Sequence, residues 1–163
     1  MFTRILVATD FSAPSDAALV YAKAVAAQFG ASLHLLHVVE NPVIAGMMGA
    51  EVLVPDTSAM VAALEQEAET KLSAMLAPAE RTKFRATTEI RMGSAASTIV
   101  EMAHSLGVDL LVMGTHGRTG VTHALLGSVA ERVTRHSTCP VLTVHATPEP
   151  VREAAAFPAV ATA

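Results

Sequence analysis

Val108-Asp109-Leu110-Leu111-Val112-Met113 runs directly into Gly114-Thr115-His116-Gly117-Arg118-Thr119-Gly120, and Gly127-Ser128 then leads into Val129-Ala130-Glu131-Arg132-Val133. The first segment is an apolar run suited to a buried strand. The last is amphipathic at helical spacing. A strand therefore enters a glycine-punctuated loop that returns into a helix start. Glycine brings backbone close to a bulky ligand because no side chain intervenes. A helix start offers unpaired N–H groups and the positive end of a dipole, so this arrangement makes an anion site, with phosphate the usual occupant. Ser128 with Glu131 fits a capping box that would place the helix start at the second glycine cluster. A loop whose glycines serve only turns is the alternative, and the flanking strand and helix weigh against it.

The rest of the chain repeats the alternation. Thr3-Arg4-Ile5-Leu6-Val7-Ala8-Thr9 is a first strand with Asp10 at its carboxyl end. Phe11-Ser12-Ala13-Pro14 turns into a helix, with Ser12 as N-cap and Pro14 in the first turn. Ala18, Tyr21, Ala22, Val25 and Phe29 share one face of that helix, and Gly30 stops it. The near-continuous apolar run around Leu33 to Val39 suits a central parallel strand covered on both faces. Residues 41–57, with Pro42, Gly46, Met47-Met48, Gly49 and Pro55, are too long for an ordinary connection; they are a mobile flap, a partner surface or a functionless insertion. A helix over 58–77 follows, with Val61, Leu64, Ala68, Leu72 and Met75/Leu76 on one face. An edge strand spans Phe84 to Ile90. Gly93-Ser94 opens a third helix, which Gly107 stops. The fourth helix runs to about His136, and Pro140 to His145 form a last strand. Such alternation implies a doubly wound parallel sheet, an α/β fold with helices on both faces. Ligands in these sheets bind beyond the strands' carboxyl ends. Asp10, Val38 and the 113–120 loop all lie there.

Composition narrows the functions. The 163 residues suit one domain over 1–145, followed by a flexible Ala/Pro-rich tail at 146–163. The net charge of −4, with no Lys/Arg cluster, argues against nucleic acid. The most membrane-like window, 17–39, changes its apolar period midway and is helix then strand, not a span. A single cysteine, Cys139, excludes an intramolecular disulfide and a cysteine zinc site. His34 and His37 on an apolar strand are expected to be hydrogen-bonded core residues, not metal ligands. No G-x-x-x-x-G-K-[ST] occurs, so this is not a P-loop, and no G-x-G-x-x-G follows the first strand, so a nicotinamide cofactor is not expected.

What remains is nucleotide chemistry. Asp10 is placed to accept from ribose hydroxyls, or else only to cap the first helix. Val38 offers a side chain to a base and a backbone to its edge. Gly117, Gly127 and Ser128 supply N–H groups, and His116 and Arg118 supply positive charge.

Gly114-x2-Gly117-x9-Gly127-Ser128 resembles the G-2x-G-9x-G-[S/T] motif of the ATP-binding branch of the universal stress protein family. The resemblance extends through Ile5-Leu6-Val7-Ala8-Thr9-Asp10-Phe11-Ser12, Leu35-Leu36-His37-Val38 and Cys139-Pro140-Val141-Leu142. It implies a single-domain, Rossmann-like five-stranded sheet in the order 3-2-1-4-5. It also implies a cytoplasmic homodimer paired through the last strand, 140–145, and a role in stress survival alongside an unknown protein partner. The resemblance further implies ATP, with Mg²⁺ held mainly by its phosphates. The site it implies comprises Asp10, Val38, Met113, Gly114, His116, Gly117, Gly127 and Ser128, with backbone contacts from Val129 and Ala130. Slow ATP hydrolysis or self-phosphorylation at the same site is the alternative. No residue supplies a clear catalytic base, so regulatory binding is expected over turnover.

Overall fold

A computed structural model describes residues 1–40, 58–115 and 126–145. The elements are β1 (Arg4–Ala8), α1 (Ala13–Phe29), β2 (Ser32–Val39), α2 (Ser58–Ala74), α3 (Pro78–Lys83), β3 (Thr87–Met92), α4 (Ala95–Ser105), β4 (Leu110–Gly114), α5 (Ser128–His136) and β5 (Val141–Val144). They build one parallel five-stranded sheet in the order β3-β2-β1-β4-β5, as expected. The 41–57 segment with Met47-Met48, the loop residues 116–125 and the 146–163 tail lie outside the described residues.

β1 is the central strand because it is apolar on both faces. Ile5, Leu6 and Val7 are fully buried. Alternation along the strand sends Ile5 and Val7 into a cluster with α1 and α2 residues. Leu6 and Ala8 point the other way, into a cluster with α4 and α5. The sheet is thus sandwiched between two helical layers, and the carboxyl ends of its strands open between them.

α1 faces the sheet through Ser15, Ala18, Leu19, Ala22 and Ala26, so Ala18 and Ala22 of the expected stripe are buried as read, with Val25 packed at the margin, while its two aromatic residues are not. Tyr21 and Phe29 are exposed, and Phe29 meets the Phe2 ring edge-on at 5.3 Å. The smaller stripe wins because it lets the helix approach the strands closely. Gly30 ends α1 in the left-handed conformation, at φ 66°. The 58–77 helix stops earlier than expected, at Ala74, and a separate short helix, α3, follows. Pro78 sits in the first turn of α3, where its missing N–H costs nothing. Phe84 is therefore buried core at the end of α3, not the start of a strand, and β3 begins at Thr87.

Asp109 stands at the foot of β4 and pins the start of β1. Its Oδ2 accepts from Thr3 N–H (2.7 Å), Thr3 Oγ1 (2.6 Å) and Arg4 N–H (2.9 Å). These donors, the Thr3 hydroxyl foremost, hold its carboxyl down to about 2. A depressed acid stabilises the fold above its unfolded pKa, near 3.8, and that contribution is lost as pH falls toward 2. Asp109→Asn is expected to lower the thermal midpoint at neutral pH by a few degrees and to flatten its fall between about pH 4 and 2. Scanning calorimetry across that window checks this; an unchanged pH profile would contradict it.

Candidate functional site

The turn between β1 and α1 is closed by side chains. Phe11 N–H donates to Thr9 Oγ1 (3.0 Å), Thr9 Oγ1 donates to Ser15 Oγ (3.1 Å), and Ser15 Oγ donates to the Ser12 carbonyl (2.8 Å). Ser12 stands at the N-cap position, but its hydroxyl donates to Asp10 Oδ1 (2.5 Å) and does not cap the helix. Ser12 N–H donates to the same oxygen at 3.2 Å. Asp10 is thereby fixed at the rim, half-buried. The turn holds Phe11 at φ 63°, a conformation that costs a non-glycine residue roughly 1–3 kcal/mol. Part of the compensation is visible: the Phe11 ring lies 4.4 Å from the His37 ring, and His37 Nδ1 donates to the Thr9 carbonyl (2.7 Å). A carbonyl only accepts, so Nδ1 carries the proton.

β2 outruns β1. The last bond between them is Thr9 N–H to the Leu36 carbonyl (2.9 Å), while on the other side the Val39 carbonyl accepts Gly93 N–H (3.1 Å). Residues of a parallel strand alternate in which neighbour they bond. Val38 shares the side of Leu36, where β1 has ended, so its N–H and C=O face the gap above the sheet. A backbone donor and acceptor therefore stand side by side at the rim.

The third wall is the junction of β4, α5 and β5. Thr115 is buried; its N–H donates to the Val144 carbonyl (2.9 Å), and its own carbonyl accepts Gly127 N–H (2.7 Å). These bonds set the start of α5 beside the end of β4. The helix begins where the sequence places it, but the capping box does not form. Gly127 is the N-cap, Ser128 is already the first helical residue, and Glu131 turns outward to Arg135 (2.7 Å). The N–H groups of Ser128, Val129 and Ala130 are those an α-helix leaves without an intrahelical acceptor. They open toward the rim with the positive end of the helix dipole behind them.

Together these walls enclose a crevice of about 180 Å³. Of the residues expected from the sequence, Asp10, Val38, Met113, Gly114, Gly127, Ser128, Val129 and Ala130 all line it. His116 and Gly117 lie outside the described residues. Sequence reasoning missed Ala8, Leu36, Ala95 and Ile99, which make its apolar floor and side. The signal for the last two was available: α4 starts at the carboxyl end of β3, so its first turns reach the same rim. A planar apolar group fits the floor, a hydroxylated group meets Asp10, and an anion meets the first turn of α5. A second cavity of about 470 Å³ adjoins the crevice and shares Asp10, Val38, Ala95 and Val129 with it.

The two strand histidines are hydrogen-bonded, but only His37 is a core residue; His34 is half-buried. Besides His37, His34 meets Thr87 Oγ1 at 2.6 Å and Glu89 at 3.0 Å. Burial pulls the His34 pKa below its usual 6.5, outweighing Glu89.

Residues 1–145 match the model of the universal stress protein family. Universal stress protein MJ0531 of Methanocaldococcus jannaschii is 35% identical over 146 residues, covering 88% of this chain and 82% of that protein. The structure of MJ0577 from the same organism superposes with a TM-score of 0.75 at 29% identity, covering 91% of this chain and 99% of that one. A universal stress protein solved in complex with cAMP gives a TM-score of 0.56 at 27% identity, over 90% of this chain and 98% of that one.

Proposed function

This chain belongs to the universal stress protein family, and from that premise we propose that its crevice binds an adenine nucleotide, ATP in the first instance, as a regulatory ligand. The observation that carries this reading is the convergence on one rim of three groups that match the three parts of a nucleotide. The Val38 N–H and C=O suit the N1 acceptor and N6 amino donor of adenine. Asp10 suits the ribose hydroxyls. The first-turn amides of α5, with the Ser128 hydroxyl, suit the phosphates, where Mg²⁺ would be carried on the phosphates themselves. The relative solved with cAMP supports an adenine nucleotide. Among the described crevice-lining residues none combines a nucleophile with a positioned base, which favours binding over turnover. Among the described residues β5 stands at the edge of the sheet with β4 as its one strand neighbour, and we assign homodimer pairing to that edge.

The Val38 pairing makes a sharp prediction. Guanine reverses the pattern, presenting an acceptor at position 6 and a donor at position 1. Each mismatched buried group costs about 1–3 kcal/mol. With two such mismatches, GTP should therefore bind about thirtyfold or more weakly than ATP. Competition against a fluorescent ATP analogue measures this, and equal displacement by GTP would remove Val38 as the base reader.

A further inference from the structure

We propose that the second cavity makes this protein a receptor for adenine nucleotides extended at N6 by an apolar alkyl or aryl group. The inference rests on the adenine reading of the crevice and adds a ligand class to it. With N6 donating one hydrogen to the Val38 carbonyl, its second hydrogen position is left to carry a substituent at the carboxyl end of β2. There the crevice passes into the larger cavity, across the shared residues Val38, Ala95 and Val129. An N6 substituent would enter a space whose apolar walls include Phe11, Val39, Leu64 and Ala68.

The charged groups of the cavity fix which end of the ligand goes there. Glu40 accepts Ala95 N–H at 3.0 Å, Glu67 is paired with Lys71 at 2.5 Å, and Asp10 stands at the shared rim. The carboxylates of Glu40 and Glu67 against one ammonium, itself paired with Glu67 and 5.8 Å from the centre of the Phe11 ring, leave this cavity net negative and unfavourable to phosphate. Phosphates are thus kept at α5, and the base edge, with whatever it carries, faces the cavity. A purine bearing a prenyl- or benzyl-sized group buries that group without displacing the contacts at Asp10 and α5.

Calorimetric titration of the full chain with ATP and with N6-benzyl-ATP tests this, using wild type and Leu64→Trp, which narrows the cavity away from the crevice. In wild type the benzyl analogue is expected to bind within about threefold of ATP or more tightly. Leu64→Trp is expected to keep ATP affinity while losing about tenfold or more for the analogue. Should that variant fail to fold, as judged by circular dichroism, Leu64→Phe serves the same comparison. Wild type that binds ATP but rejects the benzyl analogue overturns the N6 inference and leaves the nucleotide reading standing. Undiminished analogue binding in the narrowed variant also overturns it. Binding of neither nucleotide defeats both.

Discussion

Asp10→Asn is expected to weaken ATP binding by about ten- to a hundredfold while leaving the thermal midpoint nearly unchanged. The substitution separates two roles of one side chain. The amide oxygen of asparagine still accepts from Ser12 N–H and Oγ, the two bonds that close the turn at 3.2 and 2.5 Å. What is lost is the negative charge offered to the ribose hydroxyls. A hydrogen bond to a charged acceptor contributes about 1.5–3 kcal/mol, against about half that for a neutral one. Every 1.4 kcal/mol is a factor of ten in affinity. Titration calorimetry beside a melting curve distinguishes the outcomes. An unchanged affinity would return Asp10 to the humbler role of holding the first turn. A collapsed melting temperature would show that the turn depends on the charge itself.

Gly114→Ala is expected to destabilise the fold by about 1–3 kcal/mol, the usual range for overpacking a well-filled site. A β-carbon at this position would lie 2.8 Å from Pro14 Cβ, 2.9 Å from the Pro14 carbonyl carbon and 3.0 Å from Ser15 N. Two of those three atoms are backbone at the start of α1. That backbone is tied into the Thr9–Ser15 turn by the Ser15 hydroxyl, which accepts from Thr9 Oγ1 and donates to the Ser12 carbonyl, so it has little freedom to withdraw. Gly30 offers the contrast. It has open space around its missing side chain but a φ of 66°, so its substitution costs only the left-handed conformation, about 1–2 kcal/mol. At Gly114 the demand is for space alone. For a domain of this size each kcal/mol moves the midpoint by roughly 2–4 °C. A drop of several degrees, with weaker ATP binding because Asp10 shifts with the helix, is the expected result. A midpoint equal to wild type would mean that α1 moves aside freely.

The first glycine of the loop motif is therefore not only a ligand contact: it is where α1 closes on β4. The sequence showed the glycine and its place at a strand's end, but nothing in it revealed that Pro14, a hundred residues earlier, occupies the space above it. The fold itself was legible because β1 and β2 are apolar on both faces, which only a covered parallel strand tolerates, and because glycines punctuate the helix ends. The face of α1 was read only in part: Ala18 and Ala22 bury as expected, but Tyr21 and Phe29 were included for their size, while Ala26, small enough to let the helix approach, was missed. α3 was hidden because six residues are too few to show a period. At the site, side-chain candidates such as Asp10 and Ser128 were visible in the sequence. The meaning of Val38 was only half visible, since its exposed backbone pair follows from β2 outlasting β1, a fact of register. The capping box failed because Glu131 finds Arg135 one helical turn away, and Gly127 takes the cap position instead.

The central claim is that the main-chain amides of α5, the carboxylate of Asp10 and the backbone of Val38 act together on one adenine nucleotide. Titration calorimetry of ATP into the full chain, freed of carried-over nucleotide and run with and without Mg²⁺, tests it most directly. The expected result is saturable binding of one ATP per chain. The contradicting result is the absence of any binding heat at millimolar ATP in a protein whose circular dichroism and melting curve show it folded.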